Sequence, residues 1–271
     1  MKRRDFLATT SGMGLSAAAL SAIPSVVPQV SAADADSTGQ REFIEFRTYF
    51  VKDESKKELL IETLDKALIP ALNAQGIKPV GVFVPIENQQ KFEKQIFVVI
   101  PHKTLDSYLN LTAKLLADAT YQKNAAALFT TTSKNPVYEG CESSLLKCFE
   151  KCPKIEVPEL GVDRIFQARI YRSFNIERNA AKIHMFDHGG EMALFRELGI
   201  HPVFFGEALS GKMLPNLTYM VAGENAQQHE KAWKDFVEHP KWQEIKTNPA
   251  YTDTATEISR VLLKPSAGSQ I

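Results

Sequence analysis

The chain repeats itself, and the repeat constrains its fold more than any single motif does. Phe46-Arg47-Thr48-Tyr49 recurs as Ala168-Arg169-Ile170-Tyr171, and Gly76-Ile77-Lys78-Pro79 as Gly199-Ile200-His201-Pro202. Tyr121-Gln122 recurs as Trp242-Gln243, and Asn135-Pro136-Val137-Tyr138 as Asn248-Pro249-Ala250-Tyr251. The offsets between first residues are 122, 123, 121 and 113. The copies therefore align almost without gaps until a deletion near the end of the second. A solenoid repeats every ~20–50 residues, so a period this long marks a duplicated domain.

The local patterns repeat as well. Glu42 to Val51 is rich in Phe, Ile, Thr and Tyr and reads as a strand. Leu59, Leu60, Leu64, Ala67, Leu68 and Leu72 recur at helical spacing until Gly76 ends the run. Strands are predicted over 79–85, 95–100 and 142–149, with helices over 104–117 and 122–131. The second copy reads as strands over 164–172, 203–207, 217–222 and 257–263. Its helices fall over 176–198 and 226–238, with a short turn near Trp242. Both copies follow the order strand, helix, strand, strand, helix, strand, the split βαβ or ferredoxin-like pattern. Such a module leaves one sheet face bare, and two modules can cover each other. The expected fold is α+β: two tandem ferredoxin-like modules closing a dimeric α+β barrel arrangement within one chain.

Boundaries follow from composition. Residues 1–32 open with Lys2-Arg3-Arg4-Asp5-Phe6-Leu7 and an apolar, small-residue stretch, ending in Val30-Ser31-Ala32. This reads as a twin-arginine signal peptide, with export to the periplasm or beyond. Ser, Gly and Pro interrupt the stretch, so no membrane span is expected after cleavage. Residues 33–40 are a polar remnant, 41–150 the first module, 151–162 a linker with Pro153 and Pro158, 163–265 the second module and 266–271 a tail.

Charge excludes one class of partner. Removing Lys2, Arg3, Arg4 and Asp5 takes the 32 basic and 32 acidic side chains to 29 and 31. Nucleic acid requires a clustered basic surface, so none is expected as a partner. Cys141, Cys148 and Cys152 are an odd set: a Cys148–Cys152 bridge is open in an oxidising compartment, and a metal site lacks a fourth ligand nearby.

Alternation along the first strand sorts its side chains. Ile44, Phe46 and Thr48 match Phe166, Ala168 and Ile170 and should pack under the helices. Glu45, Arg47 and Tyr49 match Gln167, Arg169 and Tyr171 and should face the space between the sheets. Two readings of this polar row stay open: a cavity where Arg and Tyr hold a small anion, or arginines closed off by ion pairs with Glu45 or Glu42. His201, just before a strand in the second copy, is a further candidate for the pocket rim. His184, His188 and Glu191 share a helix face at a metal-ligand spacing, but Gly189-Gly190 weakens the helix between them, so no metal and no cofactor is expected. No Ser/His/Asp order, dinucleotide fingerprint or Cys/His zinc pattern stands out.

These segments resemble the NIPSNAP family. The resemblance rests on Glu45-Phe46-Arg47-Thr48-Tyr49 and Gly76-Ile77-Lys78-Pro79-Val80-Gly81 in the first copy. In the second it rests on Gly189-Gly190-Glu191-Met192-Ala193-Leu194-Phe195-Arg196, Pro202-Val203-Phe204-Phe205-Gly206-Glu207 and Met213-Leu214-Pro215-Asn216-Leu217-Thr218-Tyr219-Met220. It implies the dimeric α+β barrel fold and brings no agreed catalytic residues. The expected function is binding of a small molecule or protein partner in the inter-sheet cavity, without catalysis, with room for a homodimer. The alternative is a small-molecule oxygenase or isomerase of the barrel type, since the fold hosts such enzymes.

Overall fold

The computed structural model describes residues 40–271. The expected leader, residues 1–32, and most of the polar segment after it lie outside the described residues. Among the described residues are eight strands: β1 (Phe43–Phe50), β2 (Gly81–Pro85), β3 (Gln95–His102), β4 (Gly140–Cys148), β5 (Ile165–Arg172), β6 (His201–Ser210), β7 (Asn216–Gly223) and β8 (Glu257–Pro265). They close one antiparallel barrel in the order β1-β3-β2-β8-β5-β7-β6-β4. The strand order within residues 43–148 is repeated within residues 165–265. The halves join where Phe83–Pro85 pairs with Leu263–Pro265 and where Leu145–Cys148 pairs with Gly206–Ser210.

Helices cover the outside of the barrel. The first half contributes α1 (Glu54–Thr63), a π-helical turn at Leu64–Leu68 and α2 (Ile69–Ala74). It then adds α3 (Leu105–Leu109), α4 (Leu111–Ala117), α5 (Ala119–Asn124) and α6 (Ala126–Phe129). The second contributes α7 (Ile176–Asp187), α8 (Glu191–Glu197), α9 (Ala226–Glu238) and α10 (Pro240–Thr247). Among the described residues no helix is long and apolar enough to cross a membrane.

Both halves stop their first helical layer the same way. Gly76 and Gly199 each have φ of +76°. Gly76 N–H donates to Asn73 and Ile77 N–H to Leu72; Gly199 N–H donates to Arg196 and Ile200 N–H to Phe195. This is the Schellman arrangement, which a left-handed residue completes. The helix expected over 176–198 is broken. A Cβ on Gly189 would lie 2.7 Å from the Met185 carbonyl oxygen and 2.7 Å from the Tyr251 hydroxyl. The chain turns there and restarts as α8. The turn expected near Trp242 is instead a full helix, α10, which Pro240 starts at its first position.

Three apolar clusters hold the molecule. One packs α1, the π turn, α2 and α4 on the outer face of the first half through Leu60, Leu68, Leu72, Val98 and Leu111. One packs the helices of the second half through Phe186, Phe195, Phe205, Tyr219 and Phe236. The third fills the barrel from both halves with Ile44, Phe46, Phe83, Phe97, Phe166, Phe204, Met220 and Leu263. Phe46 lies 5.9 Å from Phe97 and 6.1 Å from Phe204, ring centre to ring centre.

The face assignment drawn from alternation is therefore reversed. Ile44 and Phe46, with Phe166 and Ala168, point into the barrel. Tyr49 and Tyr171 pack beneath the helices, and Glu45, Arg47, Gln167 and Arg169 share their face by alternation. The physical reason is water. A lumen closed on all sides offers no solvent to a charge, whereas a helical layer ends in ragged edges. A long side chain there can bury its stem and bring its polar head to partners.

The joining segment is packed as well. Cys152 and Ile155 are buried, Glu42 N–H donates to the Pro153 carbonyl, and Glu156 N–H donates to the Val203 carbonyl. Arg196 grips the Glu156 carboxylate with two nitrogens at 2.7 and 2.8 Å. The tail folds back on the first half: Gln270 N–H donates to Val80, and Ile271 enters the barrel core.

Candidate functional site

The Arg-x-Tyr rows sit at the same place in the two halves with different company. In the first, Arg47 Nε lies 2.7 Å from Glu45 Oε1 and a terminal nitrogen 2.9 Å from Oε2. Its other terminal nitrogen donates to the Tyr49 hydroxyl at 3.2 Å. Ser143 Oγ donates to Glu45 Oε1 at 2.8 Å, and His102 Nε2 stands 3.5 Å from Oε2. Burial alone would raise the Glu45 carboxyl. The nearby His102, hydrogen bonds from Arg47 and Ser143, and the Arg47 charge more than offset it and hold the pKa at about 2. Burial pushes Tyr49 up to about 12. The first-half arginine is thus closed by an ion pair, one of the two readings left open above.

In the second half the tyrosine hydroxyl is kept and the acid and the facing serine are exchanged. Gln167 replaces Glu45, and its Oε1 accepts from Arg169 Nε at 2.8 Å. Arg169 also donates to the Tyr171 hydroxyl at 3.2 Å, and its guanidinium lies 3.6 Å from the centre of the Trp233 ring. Facing Arg47 across the β1–β4 ladder is Ser143; facing Arg169 across the β5–β8 ladder is Arg260. Neither Arg169 nor Arg260 has an ion-pair partner among the described residues. Side chains directly opposite on antiparallel strands stand about 5 Å apart at Cβ, and like charges there repel.

The rest of this site is buried. Lys182 Nζ donates to Glu191 Oε2 at 2.9 Å and lies 4.3 Å from the centre of the Phe186 ring. Burial drives the Glu191 carboxyl upward against the pull of Lys182. The Tyr219 hydroxyl donates to Tyr171 at 3.4 Å, and burial raises Tyr219 well above its ordinary value. His229 accepts from Trp233 Nε1 at 2.9 Å; burial, then the Arg169 charge, lower it to about 4. A buried lysine, a half-buried arginine and an exposed one thus stand against one buried acid, Glu191.

The remaining sequence candidates fall elsewhere. His201 begins β6 opposite Ala222, half-buried. Glu191 is committed to Lys182, so the helical trio with His184 and His188 does not form. His184 Nδ1 lies 2.9 Å from the Tyr251 hydroxyl. His188 instead joins Glu150 and Asp187, with one ligand atom from each within 4.8 Å of the others. The Asp187 oxygens accept the backbone N–H groups of Glu150 and Lys151 at 2.9 and 2.7 Å, so this group fastens the end of β4 to α7. Cys141, Cys148 and Cys152 are free thiols. Cys148 faces the barrel core and Cys152 the second helical layer, and burial raises both, Cys148 to about 12.

Two cavities bear on ligand binding. At one end of the barrel a space of about 70 Å³ is lined by Phe46, Thr48, Ile170 and Thr218 among others. A cleft of about 280 Å³ lies outside the first half, between the end of α2 and α3.

Residues 166–270, in the second half of the chain, match the NIPSNAP family model. A protein of Lactobacillus acidophilus, provisionally described as a monooxygenase, overlays 83% of this chain and 94% of its own at 6% identity, with a TM-score of 0.56. One from Fusobacterium nucleatum, described in the same way, overlays 83% and 92% at 9% identity, with a TM-score of 0.53. At such identities the likeness is one of fold: the closed α+β barrel. A NIPSNAP-like domain protein of Burkholderia xenovorans covers 40% of this chain and 89% of its own at 17% identity, with a TM-score of 0.35. A search of curated proteins found no match.

Proposed function

We propose that this chain is an exported NIPSNAP-type protein of two fused ferredoxin-like modules, and that it binds a small anion, a carboxylate or phosphate, on the helix side of the second module. The observation that carries this reading is the facing pair Arg169 and Arg260, with no acid where the first half has Glu45. Guanidinium is the side chain best shaped for two-pronged contact with such anions. In this reading the Arg-x-Tyr row of the second half binds and does not catalyse. The packed barrel core favours a site on the outer face over one in the space between the sheets. The oxygenase or isomerase alternative draws only on shared fold, which does not carry activity.

A thermal-shift titration with inorganic phosphate and with succinate tests the site. Wild type should show a saturable rise in melting temperature, and Arg169→Gln should lose it. Arg47→Ala should keep the ligand-induced rise but start from lower stability, by about 3 kcal/mol, because it strands a buried carboxylate. A rise preserved in Arg169→Gln defeats the proposal. Export rests on Arg3 and Arg4 and the apolar stretch after them. Arg3→Lys with Arg4→Lys should retain the precursor in the cytoplasm of an exporting host; unchanged export would contradict the route.

A further inference from the structure

The first half holds a second constellation, independent of the anion reading of the second half. His102 ends β3 and is fully buried. The chain turns at Lys103, and Thr104 caps α3 by accepting the Ser107 N–H at 3.2 Å. That turn brings Ser107 back over the imidazole, its Oγ 3.0 Å from His102 Nδ1. On the far side of the ring, His102 Nε2 faces Glu45 Oε2 at 3.5 Å and has no nearer partner. A buried, ionised carboxylate on that side favours the tautomer with its proton on Nε2. Nδ1 is then a lone-pair acceptor aimed at the serine hydroxyl. Hydroxyl, imidazole and carboxylate stand in the order that activates a serine nucleophile.

Ser107 also has somewhere to work. It is half-buried and lines the cleft of about 280 Å³. Lys78, Lys103 and Lys114 line the same cleft against Glu42 and Asp106. Gln75 lines it too, and its Oε1 is buried without a hydrogen-bond partner. An acceptor lacking its donor and an excess of ammonium groups suit a ligand that carries both a negative charge and a hydrogen-bond donor.

The second half cannot do this. Pairing with β1 and β5 puts Gly223 where the first half has His102. His229 fills the space: a Cβ on Gly223 would lie 2.6 Å from its Nδ1. The Ser–His pair belongs to one half alone.

The geometry points to Ser107 as the nucleophile of an acyl-transfer site, with His102 as its general base and Glu45 as a positioning residue, acting on a small ester that bears an anionic group. Ser107 Oγ bonds to the ester carbonyl carbon as its proton passes to His102 Nδ1. The bond from that carbon to the leaving oxygen breaks, and the Nδ1 proton goes to that oxygen, releasing an alcohol. Water then adds to the acyl carbon and gives a proton to Nδ1. The acyl–Oγ bond breaks, Ser107 recovers its proton, and a carboxylic acid departs. The lysines hold the anionic group of the substrate.

A fluorophosphonate reagent, which traps activated serines, tests this on the mature exported chain with peptide mapping by mass spectrometry. Modification should fall on Ser107 and be lost in Ser107→Ala. In His102→Gln it should slow by roughly 100-fold or more, the range for loss of a general base. A half-ester of succinate with nitrophenol should be hydrolysed with saturation by wild type and not by Ser107→Ala. Mapping on the wild-type protein decides even where the His102 variant fails to fold: folded protein that leaves Ser107 unmodified overturns the proposal. So does hydrolysis that survives in Ser107→Ala.

Discussion

Glu45 lies with both carboxylate oxygens on the Arg47 guanidinium, whereas Gln167 offers Arg169 one neutral amide oxygen. Exchanging Ser143 for Arg260 at the facing position adds a second positive charge to the second half. The same arginine is thus a neutralised structural group in one half and an unneutralised one in the other. His229 records that charge. It is buried, its pKa is lowered from 6.5 to about 4, and Arg169 contributes to the shift after burial. A folded-state pKa below the unfolded one means that the unfolded chain takes up a proton first as pH falls. Stability is full above pH 6.5 and declines as pH falls towards 4, by about 3 kcal/mol across that window. His229→Gln, which keeps an acceptor for Trp233, should flatten this limb in melting curves taken from pH 7 to 4. An unchanged limb in that variant would show that His229 is not its source.

At the level of elements, the duplication is visible in how the helices end as much as in the strands. Gly76 and Gly199 share a φ of +76° and the same pair of capping hydrogen bonds, and neither has an atom within 4 Å of where a Cβ would stand. Alanine there meets backbone strain without a clash. Gly76→Ala and Gly199→Ala should each cost about 1 kcal/mol, and the double variant about the sum. Denaturant titration checks this, and a cost at only one of the two would break the equivalence. Strand positions and these helix ends were legible in the sequence because each depends on local pattern. The break between α7 and α8 was half legible: Gly189-Gly190 marked weakness, but only the crowding of Met185 and Tyr251 against Gly189 makes the break necessary. The inward and outward faces of β1 and β5 were not legible. Alternation divides a strand into two rows and does not say which row meets water. The association of Glu45, His102 and Ser107 was also hidden, because pairing of β1 with β3 brings together residues 57 positions apart.

At the largest scale, residues 43–265 form a barrel with two walls of common design and a lumen filled by both. Phe46, Phe83, Phe97, Phe166 and Phe204 fill it, and a small space of about 70 Å³ lies at one end. The halves diverge on the outer face, under and between the helices. The first half keeps a neutralised arginine and a serine–histidine pair beside a basic cleft. The second keeps an excess of buried and facing cations. Exchanging Gln167→Glu together with Arg260→Ser gives the second half the charge pattern of the first. Calorimetric titration of that double variant with phosphate and succinate, beside its melting temperature, tests the asymmetry directly. The account predicts that anion binding disappears while the melting temperature rises, since Arg169 gains a carboxylate and loses a repelling neighbour. Binding that persists unchanged in the double variant, or a wild-type chain that binds neither anion, would contradict it.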